Sequence, residues 1–410
     1  MKTKKKAPII RIKGFNDDWE QRKLGDYSEI IAGGTPNTSH SEYWNPKEIP
    51  WMSSGEINNK VIYATDNMIS KIGLSKSSAK WVKEKSVLIA LAGQGKTRGT
   101  VAITEIPLTT NQSIAAIQPS DSLYYKFLFQ NLEGRYEELR SISSGDGTRG
   151  GLNKQILSDL IILAPTISEQ RKIGDFLCTL DHLITLHQRG INRIVCLRKA
   201  MVEKMFPQNG ADVPAVRFGR YKEPWRLCQF SEIFTERHII DTISDEYPQL
   251  AFTIEEGVIR PEDKKTNKRD FLIIDKATKK YLQTEYDDII YNPANVIYGA
   301  IHRNALGKGC VSPIYKIFYT DQDSTFMECI VRHPNFIKEI SRSMEGTVKK
   351  LRTLKPKAFL EMSAYIAPTI EEQKQIGEYF RQMDWLIEIE KEELEKIKHI
   401  KSACLEKMFV

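Results

Sequence analysis

The sequence predicts an α+β protein of two globular domains and two long helices that pair as a coiled coil. Three observations carry this: an internal duplication, a long apolar helical stripe in both copies, and mixed strand and helix signals between them. Residues 164–174 (Ala-Pro-Thr-Ile-Ser-Glu-Gln-Arg-Lys-Ile-Gly) match 367–377 at an offset of 203, with eight of eleven positions identical. The same offset carries Asp181 onto Asp384 and Glu203-Lys204-Met205-Phe206 onto Glu406-Lys407-Met408-Phe409. At an offset of 206, Pro8, Arg11, Phe15 and Trp19 fall on Pro214, Arg217, Tyr221 and Trp225. Each half opens and closes alike and differs in between, so frame and filling answer to different demands.

The frame is helical. From Thr166 to Phe206, behind Pro165 and with Ser168 as the expected N-cap, apolar residues recur mostly three and four apart at Ile173, Leu177, Leu180, Ile184, Ile191 and Ile194. Ile376, Phe380, Met383, Ile387, Leu394 and Ile397 repeat the stripe. A helix of this size is roughly 60 Å long and needs a partner for its apolar face, and its twin supplies one. Ser168–Phe206 carries seven basic and four acidic residues, a net +3, and Glu371–Phe409 seven basic and ten acidic, a net −3, so the two are complementary. Gly190 is read as a kink within the first helix, not its end.

The fillings, Gly25–Ile162 and Ser231–Tyr365, alternate short apolar runs with Gly, Asn, Ser and Pro turns. Val87–Leu91, Gly99–Ile103 and Ile289–Tyr291 read as strands, Leu123–Leu132 and Asn335–Met344 as helices. The resulting division is a first domain over 1–165, a helix over 166–206, a linker over 207–216, a second domain over 217–367 and a second helix over 368–410.

Composition narrows the function. With 410 residues, 60 Lys+Arg against 53 Asp+Glu and 41% hydrophobic residues, each domain can bury its own core without disulfides or metal. The six cysteines form no Cys-x-x-Cys pair, so no zinc finger or redox centre is expected. The basic start leads into polar residues, and no apolar run approaches the length of a membrane span; a cytoplasmic protein with no membrane partner is the expectation.

Catalytic patterns fail one by one. Ala90-Leu91-Ala92-Gly93-Gln94-Gly95-Lys96-Thr97 imitates a phosphate-binding loop, but the residues after Thr97 read as strand where such a loop needs a helix N-terminus. Asn292-Pro293-Ala294-Asn295 lacks the second Pro and the aromatic of an adenine methyltransferase loop, and no Ser/His/Asp or Cys/His pattern can be argued. What remains suits DNA, since Arg and Lys match guanine edges and phosphates, and Asn and Gln match adenine. The first domain offers Thr35, Asn37, Lys96, Thr97, Arg98, Asn111, Gln112, Thr148 and Arg149; the second offers Lys268, Arg269, Tyr298, Arg303, Lys308, Lys349, Lys350 and Arg352.

These residues bring out a family resemblance. The Trp19-Glu20-Gln21-Arg22-Lys23-Leu24-Gly25 entry, the Gly33-Gly34-Thr35-Pro36 turn, Ile49-Pro50-Trp51, the Arg98-Gly99-Thr100-Val101 loop with Asn111-Gln112, and both Pro-Thr-Ile-x-Glu-Gln-x-x-Ile-Gly helix starts resemble the specificity (S) subunit of type I restriction-modification enzymes. The second half lacks the Gly-Gly-Thr-Pro turn and sets Gly309-Cys310-Val311-Ser312-Pro313 where the first has Gly99-Thr100-Val101-Ala102, so it resembles a different subclass of recognition domain. The resemblance implies two target-recognition domains separated by two antiparallel helices, related by a pseudo-twofold, each domain reading half of a bipartite double-stranded DNA site. It further implies that the helices dock two modification (methyltransferase) subunits, through which ATP-dependent restriction (translocase/nuclease) subunits join. The chain would be non-catalytic and bind no cofactor, with S-adenosylmethionine, ATP and Mg on the partner subunits. Two other readings stay open: a coiled-coil DNA-binding scaffold, and a nucleotide-binding enzyme using the 90–97 loop.

Overall fold

The computed structural model describes residues 7–93, 97–142, 151–208, 210–263, 279–344 and 352–409. They fall into two compact units, the first comprising Met1–Gln188 with Glu392–Val410 and the second Arg189–Lys391.

The first unit holds strands β1 (Glu20–Lys23), β2 (Ser28–Ala32), β3 (Ile49–Met52), β4 (Val61–Ile62), β5 (Asn67–Ile69), β6 (Ser86–Ala90), β7 (Val101–Thr104), β8 (Thr109–Thr110), β9 (Ile114–Pro119) and β10 (Ile161–Ala164). Its short helices are α1 (Lys71–Ser75), α2 (Tyr125–Gly134), α3 (Tyr136–Ile142) and α4 (Lys154–Asp159). A five-stranded sheet runs β2-β9-β6-β7-β4, a three-stranded one β5-β3-β8, and β1 pairs with β10. All of β6 is buried, because successive side chains point to opposite faces and both faces are covered. Val87 and Ile89 join the core formed with α2, while Leu88 and Ala90 join a second core on the other side.

Two 39-residue helices, α5 (Ile167–Met205) and later α10 (Ile370–Met408), are the repeated frame. Helix α5 starts at Ile167, so Ser168 lies inside it and is not the expected N-cap. The chain before each helix closes its first turn instead: Thr166 O accepts Gln170 N–H at 3.0 Å, and Thr369 Oγ1 accepts Glu372 N–H at 3.3 Å. Gly190 sits within the unbroken helix.

The second unit holds strands β11 (Arg226–Gln229), β12 (Thr235–Glu236), β13 (Ile240–Asp241), β14 (Ala251–Thr253), β15 (Gly257–Ile259), β16 (Tyr281–Thr284), β17 (Ile289–Tyr291), β18 (Ile301–Arg303), β19 (Gly309–Val311), β20 (Lys316–Tyr319) and β21 (Ser363–Ile366). Its short helices are α6 (Phe230–Ile233), α7 (Ser324–Val331), α8 (Pro334–Ser343) and α9 (Pro356–Leu360). The sheets run β12-β20-β17-β18, β13-β16-β19, β14-β15 and β11-β21. Ile289 and Tyr291 face one core and Ile290 the other, the same alternation as in β6.

The sequence equates Gly309–Ser312 with Gly99–Ala102, and the structure corrects this. Strand β7 is the hairpin partner of β6, and the hairpin partner of β17 is β18, whereas β19 pairs with β16 in another sheet.

Each repeated motif has a mechanical task. Arg11 forks onto Glu169 with two 2.8 Å bonds, and Arg217 onto Glu372 at 2.6 and 2.8 Å. The neighbouring glutamine ties the helix start to its domain: Gln170 donates to Pro165 O (2.8 Å) and accepts Tyr124 N–H (2.8 Å), and Gln373 donates to Ala367 O (2.9 Å) and accepts Asp323 N–H (3.2 Å). The glycine admits that contact, since a Cβ at Gly174 would meet Phe127 N at 2.6 Å and one at Gly377 would strike the Asp323 carboxylate.

The Glu-Lys-Met-Phe tails close the cores. In the first unit Lys407 O accepts Ile10 N–H (2.9 Å), and Phe409 lies edge-on to Trp19 with centroids 6.3 Å apart. In the second, Lys204 O accepts Val216 N–H (2.9 Å), and Phe206 lies edge-on to Trp225 at 5.8 Å. Each tail therefore packs on the entry segment of the opposite sequence half.

Within both units the long helices run antiparallel. Asp181 meets Lys401 in the first, and Arg198 meets Asp384 while Gly190 lies beside Glu390 in the second. Along the stripe Ile173, Leu177, Leu180, Ile191, Ile376, Phe380, Met383, Ile387 and Leu394 are buried, and Ile184, Ile194 and Ile397 half-buried.

Candidate nucleic-acid interface

One end of the five-stranded sheet gathers most of the first unit's described candidates. Strand β9 is antiparallel to both β2 and β6, so the segment after β2, the segment after β6 and the segment before β9 emerge together. Gly34 N–H donates to Thr110 O (2.8 Å), Asn111 N–H to Met52 O (3.0 Å) and Leu91 N–H to Ser113 O (2.8 Å), which ties the three segments side by side. The Thr35 hydroxyl donates to Gln112 Oε1, joining two candidates directly.

The Gly-Gly turn exists for this closeness. A Cβ on Gly33 would collide with Asn111 O and Thr110, and one on Gly34 with Ser78. Trp51 donates to Gly34 O (3.0 Å), and Trp44 stands edge-on to Trp51 at 5.1 Å and donates to Asn37 O (3.4 Å). Asn37 and Gln112 are exposed on this scaffold, while Thr35, Thr97, Arg98 and Asn111 are half-buried. Sequence reasoning passed over Arg140, which stacks on Tyr136 at 5.5 Å and whose side chain lies beside Gly99. Its position inside a charged helical run gave no signal.

After Thr97 the chain turns and enters β7 at Val101, so no helix N-terminus follows that could meet a phosphate in the manner of a nucleotide-binding loop. Among the described residues no group of His, Cys, Asp or Glu could hold a metal ion, and no helix is long and apolar enough to cross a membrane.

The second unit scatters its candidates. Tyr298 sits between β17 and β18, while Arg303 ends β18 opposite Ile289, at the far end of the same hairpin, and Lys308 lies just beyond. Arg303 bonds Asp287 (2.8 Å) and approaches Glu328 (3.7 Å), and Lys308 pairs with Glu246. Burial works against the Arg303 cation, but Glu328 and Asp287 raise its pKa on balance. Arg352 donates twice to Met344 O, at 3.2 and 2.7 Å. Lys96, Thr148, Arg149, Lys268, Arg269, Lys349 and Lys350 lie outside the described residues.

A family model described as the type I restriction modification DNA specificity domain matches residues 16–195. Over 410 aligned residues the chain is 22% identical to a type I restriction enzyme specificity subunit of Methanocaldococcus jannaschii, covering 95% of this chain and 91% of that one. Residues 16–195 thus match a type I restriction-modification DNA specificity domain, and along its length the chain is similar to type I specificity subunits. An Escherichia coli type I specificity subunit is 25% identical over 186 residues, a match spanning 45% of this chain and 46% of that subunit. The solved S subunit from M. genitalium shares the fold, with a TM-score of 0.65 at 15% identity over 98% of this chain and 99% of that one.

Proposed function

We propose that this specificity subunit reads a bipartite double-stranded DNA site, one half-site per unit, and docks two adenine-methyltransferase subunits. Restriction subunits join through that complex. In this reading the chain is non-catalytic and cytoplasmic, and S-adenosylmethionine, ATP and Mg belong to its partners. One observation carries it: the helix starts and tails are held by the same contacts in both units, while the sheet-end loops differ in length and chemistry. A frame that must fit one partner twice repeats, and readers of unrelated half-sites diverge.

The exposed faces of the long helices support docking. Leu183 and Leu186 on α5 are exposed, and so are Leu386 and Ile389 at the same offset of 203 on α10. Exposed apolar residues repeated at matched positions suit the same partner bound twice. Replacing Gly25–Ile162 by the equivalent domain of another specificity subunit, co-expressed with the modification subunit, is expected to change one half-site and preserve the other in sequenced methylation patterns. Both half-sites changing together would refute the two-reader arrangement.

A further inference from the structure

The second unit repeats four of the five strands of the first unit's main sheet, all but β4. The order β12-β20-β17-β18 corresponds to β2-β9-β6-β7, with every neighbouring pair antiparallel in both. A separate contact fixes the same match. Leu152 N–H donates to Leu91 O at 3.0 Å just past β6, and Leu354 N–H donates to Pro293 O at 3.0 Å just past β17. In both units this contact precedes a short helix, α4 or α9, and the strand leading to the long helix. The counterpart of the segment 91–100 is therefore the segment 292–300.

That segment holds one aromatic ring out on an ordered turn. Asn292 Oδ1 accepts the N–H groups of Ala294 (3.0 Å) and Asn295 (3.3 Å), and Asn295 O accepts Tyr298 N–H (2.9 Å). Val296 is fully buried and pins the turn to the core, while Tyr298, two residues on, is 69% exposed. The fold makes no use of this ring as core. Arg303 and Lys308 lie at the other end of the hairpin and are matched by Asp287, Glu328 and Glu246.

We infer that the segment 292–298 is the base-reading loop of the second unit, with the Tyr298 ring as its contact, and that Arg303 and Lys308 lie off the DNA. The inference rests on the reading of each unit as a DNA reader. The ring offers an apolar face to a base edge such as a thymine methyl, and its hydroxyl offers a hydrogen bond.

The test uses the full-length subunit co-expressed with its modification subunit, reading methylated sites by sequencing and affinity on a duplex carrying the wild-type site. Tyr298→Ala is expected to bind roughly tenfold more weakly and to relax the second half-site alone. Tyr298→Phe is expected to keep the half-site if the ring face is what reads. Tyr298→Ala with wild-type affinity and an unchanged second half-site, or with an altered first half-site, overturns the inference. A wild-type protein that binds no duplex and directs no methylation would overturn the DNA-reading function itself, and this loop assignment with it.

Discussion

The same ion pair occurs once in each unit, and its surroundings differ. The offset of 203 that carries Asp181 onto Asp384 also carries Arg198 onto Lys401, so Asp181–Lys401 and Asp384–Arg198 are equivalent pairs. In the first unit Lys401 is 5% exposed and binds Asp181 at 2.6 Å and also Glu133. Lys60 bonds the same two acids at 2.5 and 2.9 Å, and Gln130 donates to Asp181 at 2.7 Å. In the second unit Arg198 forks onto Asp384 at 2.5 and 2.9 Å and lies over the Phe380 ring, with the two charged side chains 27% and 51% exposed. Phe127 and Phe326 contact the aromatic tails equivalently, which sets Cys329 of α7 and Arg332 at its C-terminal cap in the places of Gln130 and Glu133 of α2. With no second acid bonded to it among the described residues, one planar guanidinium satisfies one carboxylate. A buried ammonium needs several acceptors, so the first unit surrounds it with a charge-balanced cluster. Burial alone would raise the Asp181 carboxyl, but Lys401 and Lys60 outweigh it and hold the group below its ordinary range.

The largest expected effect follows from that contrast. Lys401→Met leaves two acids facing a single lysine and should destabilise the first unit by about 3–5 kcal/mol, whereas Arg198→Met, at a half-exposed pair, should cost the second about 1 kcal/mol or less. Denaturant unfolding of both variants, with hydrogen exchange resolving the units, compares them. Equal losses would mean that burial does not distinguish the pairs.

Acid should separate the units next. Burial, aided by Arg332 and opposed by Glu328, lowers the buried His302 to about 4, and its Nε2 lies 2.9 Å from Ile254 O. A histidine depressed in the folded state contributes stability that is complete above its unfolded pKa and is lost as pH falls toward the folded one. Between about pH 6.5 and pH 4 the second unit should therefore lose about 3 kcal/mol. The lowered Asp181 acts in the same direction only below about pH 4, through a carboxylate's own range. Hydrogen exchange at pH 7 and pH 4.5 should show loss of protection in the second unit first, and His302→Asn should blunt it. Uniform loss across both units would break the comparison.

The smallest effect lies at the matched tryptophans. Trp225 Nε1 donates to Glu372 at 3.3 Å, whereas Trp19 Nε1 meets no partner among the described residues. Trp225→Phe should therefore cost about 1 kcal/mol more than Trp19→Phe in parallel melts.

Much of the candidate interface was legible because its signals are local. Gly33-Gly34-Thr35 and Asn111-Gln112 announce themselves by residue type, and the structure brings them to one sheet end. Residue type also proposed Arg303 and Lys308, yet charge along the chain does not reveal the acids that face them, Asp287 and Glu246.

The sequence by itself determined the duplication, the two long helices with their stripe, and the family resemblance, because repetition and helical periodicity are written in neighbouring residues. Only the tertiary structure decided that each tail closes the core of the opposite half, that Lys401 shares its acids with Lys60, and that β18, not β19, is the counterpart of β7. Those choices join residues far apart in the chain. They depend on which strands pair and which charges become buried together, and no spacing within a sequence window encodes either.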